Sequence, residues 1–270
     1  MNKSLDIICA TYGNLPMVKE CIETWFPVPD GWNVYIYDSE ASQLDGTKEY
    51  LRAAKDVFGF TLIEDGRILT HSVAIEELMK KSKSEWILHL DSDVKVLNKK
   101  VFEWINEKIN NTNAKLLGQI DPRHFTPYFN HYATDGNYRI CVPRTASWIM
   151  LFQRKFIDEH ELSFSNMDLR FPVSSPNNMM NLSINHKIDK STNQVVSPKT
   201  MNVLADVSWQ VFWEAYRQDA FEKIPNEIWN MFEHKHGGSR IWRAKNKHMI
   251  FSPTNDTEKI TSEGEKSSNR

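Results

Sequence analysis

The sequence predicts an α/β fold: a mostly parallel sheet flanked by helices, followed by an irregular second half. Three observations carry this. From Leu5 to Ile109, short β-like apolar runs alternate with helical periods, which implies βαβ crossovers. The run Trp86-Ile87-Leu88-His89-Leu90 reads as a buried strand and leads directly into Asp91-Ser92-Asp93. Beyond Ile109 the alternation loosens into stretches rich in Asn, Ser, Pro and aromatics.

Taken in order, residues 5–10 form the first strand. It ends at Thr11-Tyr12-Gly13-Asn14, where Asn14 is placed to cap a helix and Pro16 suits a first helical turn. Leu15, Val18, Ile22 and Trp25 then follow helical spacing. Val34-Tyr35-Ile36-Tyr37 is a second strand ending in Asp38-Ser39. A helix over 47–58, a strand over 60–63 and a helix over 71–81 lead to the Asp-Ser-Asp strand. A helix over 101–109 and a strand over 115–120 come next. Residues 121–144 are irregular, and a loop that long in a compact domain usually serves function. A strand is expected over 147–152, irregular chain over 168–199, and a helix over 206–218 with Trp209, Phe212, Trp213 and Tyr216 along one face. The polar stretch 254–270 is expected to be disordered. One domain over 1–253 is predicted, with a ligand-binding half over 1–100, a second half over 101–253 and no internal repeat.

Composition narrows the class. Of 270 residues, 40% are hydrophobic and 25% charged, enough for a sizeable core. A net charge of −2 provides no global field toward nucleic acid or anionic membrane. Cys9, Cys21 and Cys141 are odd in number and widely spaced, as expected of reduced thiols rather than a disulfide framework. The opening Met1-Asn2-Lys3-Ser4-Leu5 runs straight into a strand without a signal-peptide apolar region, and no stretch reaches the roughly 18 apolar residues of a membrane span. A soluble, cytoplasmic protein is therefore expected. The sequons at Asn2, Asn110, Asn181 and Asn255 are read as chance occurrences.

Asp91 and Asp93, at i and i+2 where a central strand ends, point together into the crevice at the sheet's carboxyl edge, where open α/β sheets bind ligands. Hard oxygen ligands of this kind hold Mg²⁺ or Mn²⁺ with positions left for substrate phosphates. In this setting the triplet resembles the metal motif of GT-A-fold glycosyltransferases. The order of motifs from Leu5 to Arg243 is similar to that of the inverting family-2-type enzymes, clearly over the first hundred residues and thinly afterwards.

The resemblance implies a nucleoside-diphosphate sugar donor, most simply a UDP-sugar, with Mn²⁺ or Mg²⁺ as cofactor. It implies that Asp93 coordinates the metal, and that Asp91, with Ser92 beside it, binds ribose or reaches the metal through water. Thr11 and Tyr12 would contact the nucleotide, with Tyr12 able to stack on uracil. Asp38 would accept a hydrogen bond from a base N–H, although its context, Asp38-Ser39-Glu40, matches the family's paired acids only in part. Where the family carries Asn and Gly near ribose and diphosphate, this chain has Arg67, His71 and Ser72. Asp206, in Ala205-Asp206-Val207-Ser208-Trp209, takes the place of the general base; a plain helix cap is the competing role.

In His234-Lys235-His236-Gly237-Gly238-Ser239-Arg240, the resemblance implies a histidine that completes the metal shell. His236 is favoured over His234 because it adjoins the glycines. Arg240 and Arg243 would neutralise the leaving group. The acceptor hydroxyl belongs to a glycan or to a hydroxymethylated base in phage DNA, as for transferases of T-even-type phages. Residues 121–144, with Arg123, His124, Tyr128, Tyr132 and Arg139, are the candidate acceptor surface. The basic stretch 234–248, with Lys235, Lys245, Lys247 and Trp242, is the candidate nucleic-acid contact. The alternatives are a nucleotidyltransferase, for which Thr11-Tyr12-Gly13-Asn14 offers no Gly-rich phosphate loop, and a catalytically inactive nucleotide-binding module. Nothing in the sequence fixes the oligomeric state.

Overall fold

Leu5, Ile7 and Cys9 face one side of the first strand, Ile8 and Ala10 the other, and all five are buried. A strand buried on both faces requires a layer above and a layer below, and the computed structural model has both. It describes residues 3–39, 42, 44–120, 138–141, 145–164, 167–172, 187–189, 194–196, 200–205 and 207–235.

The elements are β1 (Leu5–Thr11), α1 (Leu15–Ile22) with a 3₁₀ turn (Glu23–Trp25), β2 (Asn33–Asp38), α2 (Thr47–Phe58), β3 (Thr61–Ile63), α3 (His71–Lys81), β4 (Trp86–Leu90), β5 (Val94–Val96), α4 (Lys100–Asn111) and β6 (Leu116–Gly118). They continue with β7 (Tyr138–Cys141), β8 (Ile149–Gln153), α5 (Arg154–Glu159), β9 (Met167–Pro172), β10 (Lys187–Asp189), β11 (Gln194–Val196), β12 (Thr200–Ala205), α6 (Trp209–Arg217), β13 (Phe221–Lys223), α7 (Asn226–Trp229) and β14 (Phe232–His234).

The main sheet runs β13-β6-β8-β4-β1-β2-β3. Every neighbouring pair is parallel except the two made by β8, so the predicted mostly parallel α/β architecture is what the chain adopts. From β1 the chain moves outward through β2 and β3, then returns to place β4 on the other side of β1. That reversal is a topological switch point, and the crevice beyond the carboxyl ends of β1 and β4 is where such sheets receive ligands. Helices α1, α2 and α4 cover one face through Val18, Ile22, Leu51, Ala54, Phe102 and Ile105. Helices α3, α5 and α6 cover the other through Ala74, Ile75, Leu78, Phe156, Val211 and Phe212. No helix among the described residues is long and apolar enough to cross a membrane.

Local chemistry explains the boundaries. Helix α2 stops at Gly59, whose φ of 76° is left-handed and whose N–H donates to the Lys55 carbonyl at 2.8 Å. Asn14, expected to cap α1, instead adopts φ 73° and makes no side-chain cap. Asp45 takes that role. Its Oδ2 accepts from the Asn14 and Leu15 amides, the latter at 3.1 Å, while its Oδ1 accepts from the Thr47 amide at 3.1 Å and the Thr47 hydroxyl at 2.6 Å. Buried Asp6 joins three segments: Oδ2 accepts from the Ser82 hydroxyl at 2.7 Å and the Ser84 backbone amide at 3.3 Å, and Oδ1 from the Asn33 side-chain Nδ2 at 2.8 Å.

The structure departs from the sequence reading in several places. Trp25 lies in the 3₁₀ turn, beyond the α1 helix. Stretch 168–199, expected to be irregular, contributes β9, β10 and β11; β9 pairs with β12, which also pairs with β7. The aromatic residues of α6 divide between core and surface. Trp213 is 41% and Tyr216 54% exposed, whereas Val211, Phe212 and Ala215 are buried. The expected acceptor loop 121–144 falls outside the described residues apart from β7, and so does the tail 254–270.

Candidate metal and donor site

Thr11, Asp38 and Asp91 stand at or just past the carboxyl ends of β1, β2 and β4. In the order β4-β1-β2 the two acids flank Thr11, roughly 10 Å apart across one intervening strand. The Thr11 hydroxyl is shared between the Tyr37 carbonyl at 3.2 Å and Asp38 Oδ1 at 3.1 Å. Asp38 is only 2% exposed, and burial pushes its pKa up to about 6 against the opposing effects of the Ser42 and Thr11 hydroxyls and Lys48. Tyr12 packs in the apolar cluster on the α3 face at 5% exposure.

That buried acid has a consequence for stability. Its folded-state pKa lies above the unfolded value, so the folded state binds more protons between the two, and stability falls as pH rises from about 4 through about 6. Above that window the ionised carboxylate opposes folding. Asp38→Asn is expected to stabilise the protein at pH 8 by about 1–2 kcal/mol, or roughly 3–6 °C in Tm, and by much less at pH 5. Thermal melts of both proteins at the two pH values check this; an equal gain at both would contradict it.

The Asp-Ser-Asp turn lies beyond β4, held by the Asp91 amide donating to the Trp148 carbonyl at 3.0 Å and the Val94 amide donating to the Asp91 carbonyl at 3.1 Å. The chain then enters β5, which pairs antiparallel with β14 so that Val94 sits opposite His234. The Lys235 amide donates to the Asp93 carbonyl at 2.9 Å. This two-stranded ladder brings His234 Nε2 within 3.2 Å of Asp93 Oδ1. The ring of His234 stacks on Trp148 with centroids 4.7 Å apart and planes at 13°. Trp148 therefore orients the site twice, by its carbonyl at Asp91 and its indole at His234.

Asp91, Asp93 and His234 each present a ligand atom within 4.8 Å of the other two. Two carboxylates and an imidazole form a donor set that fits a hard divalent cation. A second group, His71, His89 and Asp91, meets the same distance limit. His71 begins α3 and its Nε2 lies 3.0 Å from Asp91 Oδ1. His89 is fully buried on β4, which pulls its pKa down to about 4, and its Nε2 lies 3.4 Å from the same oxygen. Burial pushes the Asp91 carboxyl upward, but His71, His89 and His234 outweigh it and hold the pKa below its ordinary value.

The structure thus brings together Thr11 with Asp38, and His71, Asp91, Asp93 and His234. Ser92 lies in the turn between the two acids. Arg67 is held by Asp65 at 2.6 Å, with Glu77 at 3.7 Å. Asp206, His236, Arg240 and Arg243 fall outside the described residues. The sequence reading missed His89 and Trp148. The period-2 placement of His89 and Asp91 was a usable sign for the first; nothing local marked Trp148, whose role depends on the β4–β8 pairing.

No family model matches the chain, and no curated protein matches it. Among solved structures, it is similar to a mannosyltransferase from Pyrobaculum calidifontis in complex with GDP-Man and Mn²⁺, at 16% identity and a TM-score of 0.47 over 61% of this chain and 48% of that one. It is similar to S. aureus TarS in complex with UDP-GlcNAc, at 16% identity and 0.43 over 60% and 48%. It is also similar to glucosyl-3-phosphoglycerate synthase from Mycobacterium tuberculosis in complex with Mn²⁺, UDP and phosphoglyceric acid, at 12% identity and 0.41 over 57% of each chain. The similarity spans about half the length of these proteins, and at this level the chemistry rests on the geometry of the site itself.

Proposed function

We propose that the protein is a GT-A-type glycosyltransferase that moves a sugar from a nucleoside-diphosphate sugar, specifically a UDP-sugar, to an acceptor hydroxyl with inversion, using Mn²⁺ or Mg²⁺. The observation that carries this reading is the convergence of Asp91, Asp93 and His234 beyond β4, beside the switch point of the sheet. Asp93 and His234 would hold the ion from the β5–β14 ladder, with Asp91 closing the protein side of the shell. When bound, such an ion supplies Lewis-acid stabilisation of negative charge on the departing diphosphate.

The remaining steps belong to the chain. Asp38 and Thr11 offer buried hydrogen-bonding groups to the nucleoside one strand away from the acids. Ser92 is assigned to the ribose, Arg67 and His71 to donor contacts on the α3 side, and Tyr12 to the nucleotide. Asp206 takes the proton from the acceptor hydroxyl as that oxygen bonds to the anomeric carbon. The bond from that carbon to the phosphate oxygen breaks on the opposite face, and its electron pair leaves on the nucleoside diphosphate. Arg240 and Arg243 follow β14 in sequence and are assigned to the diphosphate, and His236 is the other histidine assigned to the metal shell.

Asp206→Asn is expected to leave donor binding within about twofold and to lower turnover by at least about 10²-fold. Single-turnover transfer measured beside calorimetric donor binding checks it, and transfer near the wild-type rate would place the base elsewhere. The reading as a whole is tested by a thermal-shift screen of nucleotide sugars with and without Mn²⁺. Turnover follows on simple saccharides and on DNA containing hydroxymethylated pyrimidines. Stabilisation by a UDP-sugar that disappears in EDTA is expected, with release of UDP on transfer. Release of pyrophosphate would indicate nucleotidyl transfer, and donor binding without turnover on any acceptor would indicate an inactive binding module.

A further inference from the structure

Asp91 belongs to two clusters, and the sugar-transfer reading places a metal in only one of them. On its other side stand two imidazoles. His89 precedes it by two residues and lies fully buried on β4, while His71 approaches from the first turn of α3. Their Nε2 atoms lie 3.4 and 3.0 Å from one carboxylate oxygen, Asp91 Oδ1. The ring centroids are 5.2 Å apart, with planes inclined at 48°.

Hydrogen bonding accounts for only part of this arrangement. His71 Nε2, at 3.0 Å, is within hydrogen-bond distance of Asp91 Oδ1 and helps hold that carboxyl below its ordinary pKa. The 3.4 Å separation at His89 is beyond the usual N–H···O range. Metal coordination accounts for it better. Zn–N and Zn–O bonds of about 2.0–2.1 Å arranged tetrahedrally put neighbouring ligand atoms about 3.3–3.4 Å apart. The observed 3.0 and 3.4 Å bracket that edge length, and the ligand atoms of all three residues lie within 4.8 Å of one another.

We propose that His71, His89 and Asp91 form a second metal site, suited to a Zn²⁺-class transition-metal cation and joined through the Asp91 carboxylate to the Asp91–Asp93–His234 site. Two nitrogens and one oxygen favour a borderline-soft ion over Mg²⁺, whereas the two-carboxylate site favours Mg²⁺ or Mn²⁺. Three protein ligands leave a fourth tetrahedral position for water or a substrate oxygen. The assignment concerns metal content and stands apart from the sugar-transfer reading.

The test uses the full chain, stripped with EDTA and equilibrated with Co²⁺ alone as the spectroscopic stand-in for Zn²⁺. Metal content by mass spectrometry and visible d–d absorption are the readouts. The wild-type protein is expected to bind Co²⁺ with the intense absorption of a four-coordinate nitrogen-containing site. That absorption should persist in Asp93→Asn and disappear in His71→Ala and in His89→Gln. His71 is partly exposed at the start of a helix, so His71→Ala decides the matter if the buried variant does not fold. A wild-type protein without the absorption, or an absorption lost in Asp93→Asn but kept in His71→Ala, would overturn the proposal. Failure of sugar transfer alone would leave the Co²⁺ signature intact, so the two readings fail separately.

Discussion

Asp93→Asn is expected to abolish Mn²⁺-dependent binding of a UDP-sugar and to lower transfer by about 10³-fold or more. Asp93 is 9% exposed and lies just before the β5–β14 ladder, with its carbonyl accepting from the Lys235 amide and its Oδ1 3.2 Å from His234 Nε2. Asparagine keeps the shape of the side chain and removes the charge, so the fold is retained while the ion loses an anionic ligand. Lewis-acid stabilisation amounts to several kcal/mol, and each 1.36 kcal/mol is a factor of ten, which sets the expected loss. Calorimetry with a UDP-sugar, with and without Mn²⁺, separates the outcomes. Binding that remains metal-dependent in the variant would move the ion away from this turn.

The largest stability effect is expected at Trp25, far from any ligand. Its side chain is fully buried, and its indole N–H donates to the Val94 carbonyl at 2.8 Å. Beside it the Thr24 hydroxyl accepts from the Val96 amide at 2.9 Å, so the 3₁₀ turn is fastened to β5 at two points. Trp25→Ala combines a core cavity with an orphaned carbonyl and is expected to cost about 3–5 kcal/mol, or roughly 10 °C in Tm. Trp25→Phe keeps most of the volume and loses the hydrogen bond, and should cost about 1–2 kcal/mol. Because β5 carries the partner strand of His234, the Phe variant should also weaken Mn²⁺ binding. Chemical denaturation and metal titration of both variants measure the two effects; an Ala variant within about 1 kcal/mol of wild type would contradict this account.

The first half of the fold was legible because its signals are local. The helices over 47–58 and 71–81 and the strand over 86–90 were read from periodicity and match the structure residue for residue. The Asp-Ser-Asp turn was legible for the same reason: strand and acids are contiguous. His234 enters as a ligand candidate through the family resemblance, with His236 favoured over it; the approach of His234 to Asp93 is not legible, because β5 and β14 are each three residues long and pair across more than a hundred residues. Strands so short leave no periodic trace. For α6, periodicity identifies the aromatic face, but packing against β6 and β13 decides which of its members are buried: Phe212 is, whereas Trp213 and Tyr216 are exposed. His89 resembled any apolar-strand residue until α3 placed His71 over it.

Asp45 gives the arrangement a further meaning. In many nucleotide-binding sheets the amide groups opening the first crossover helix clasp the pyrophosphate. Here an internal carboxylate already occupies the amino end of α1. A polyanion arriving at β1 would meet negative charge where other folds offer positive dipoles. On the function proposed above, holding a diphosphate would then fall to the ion beyond β4 and to Arg240 and Arg243 rather than to the first loop of the chain.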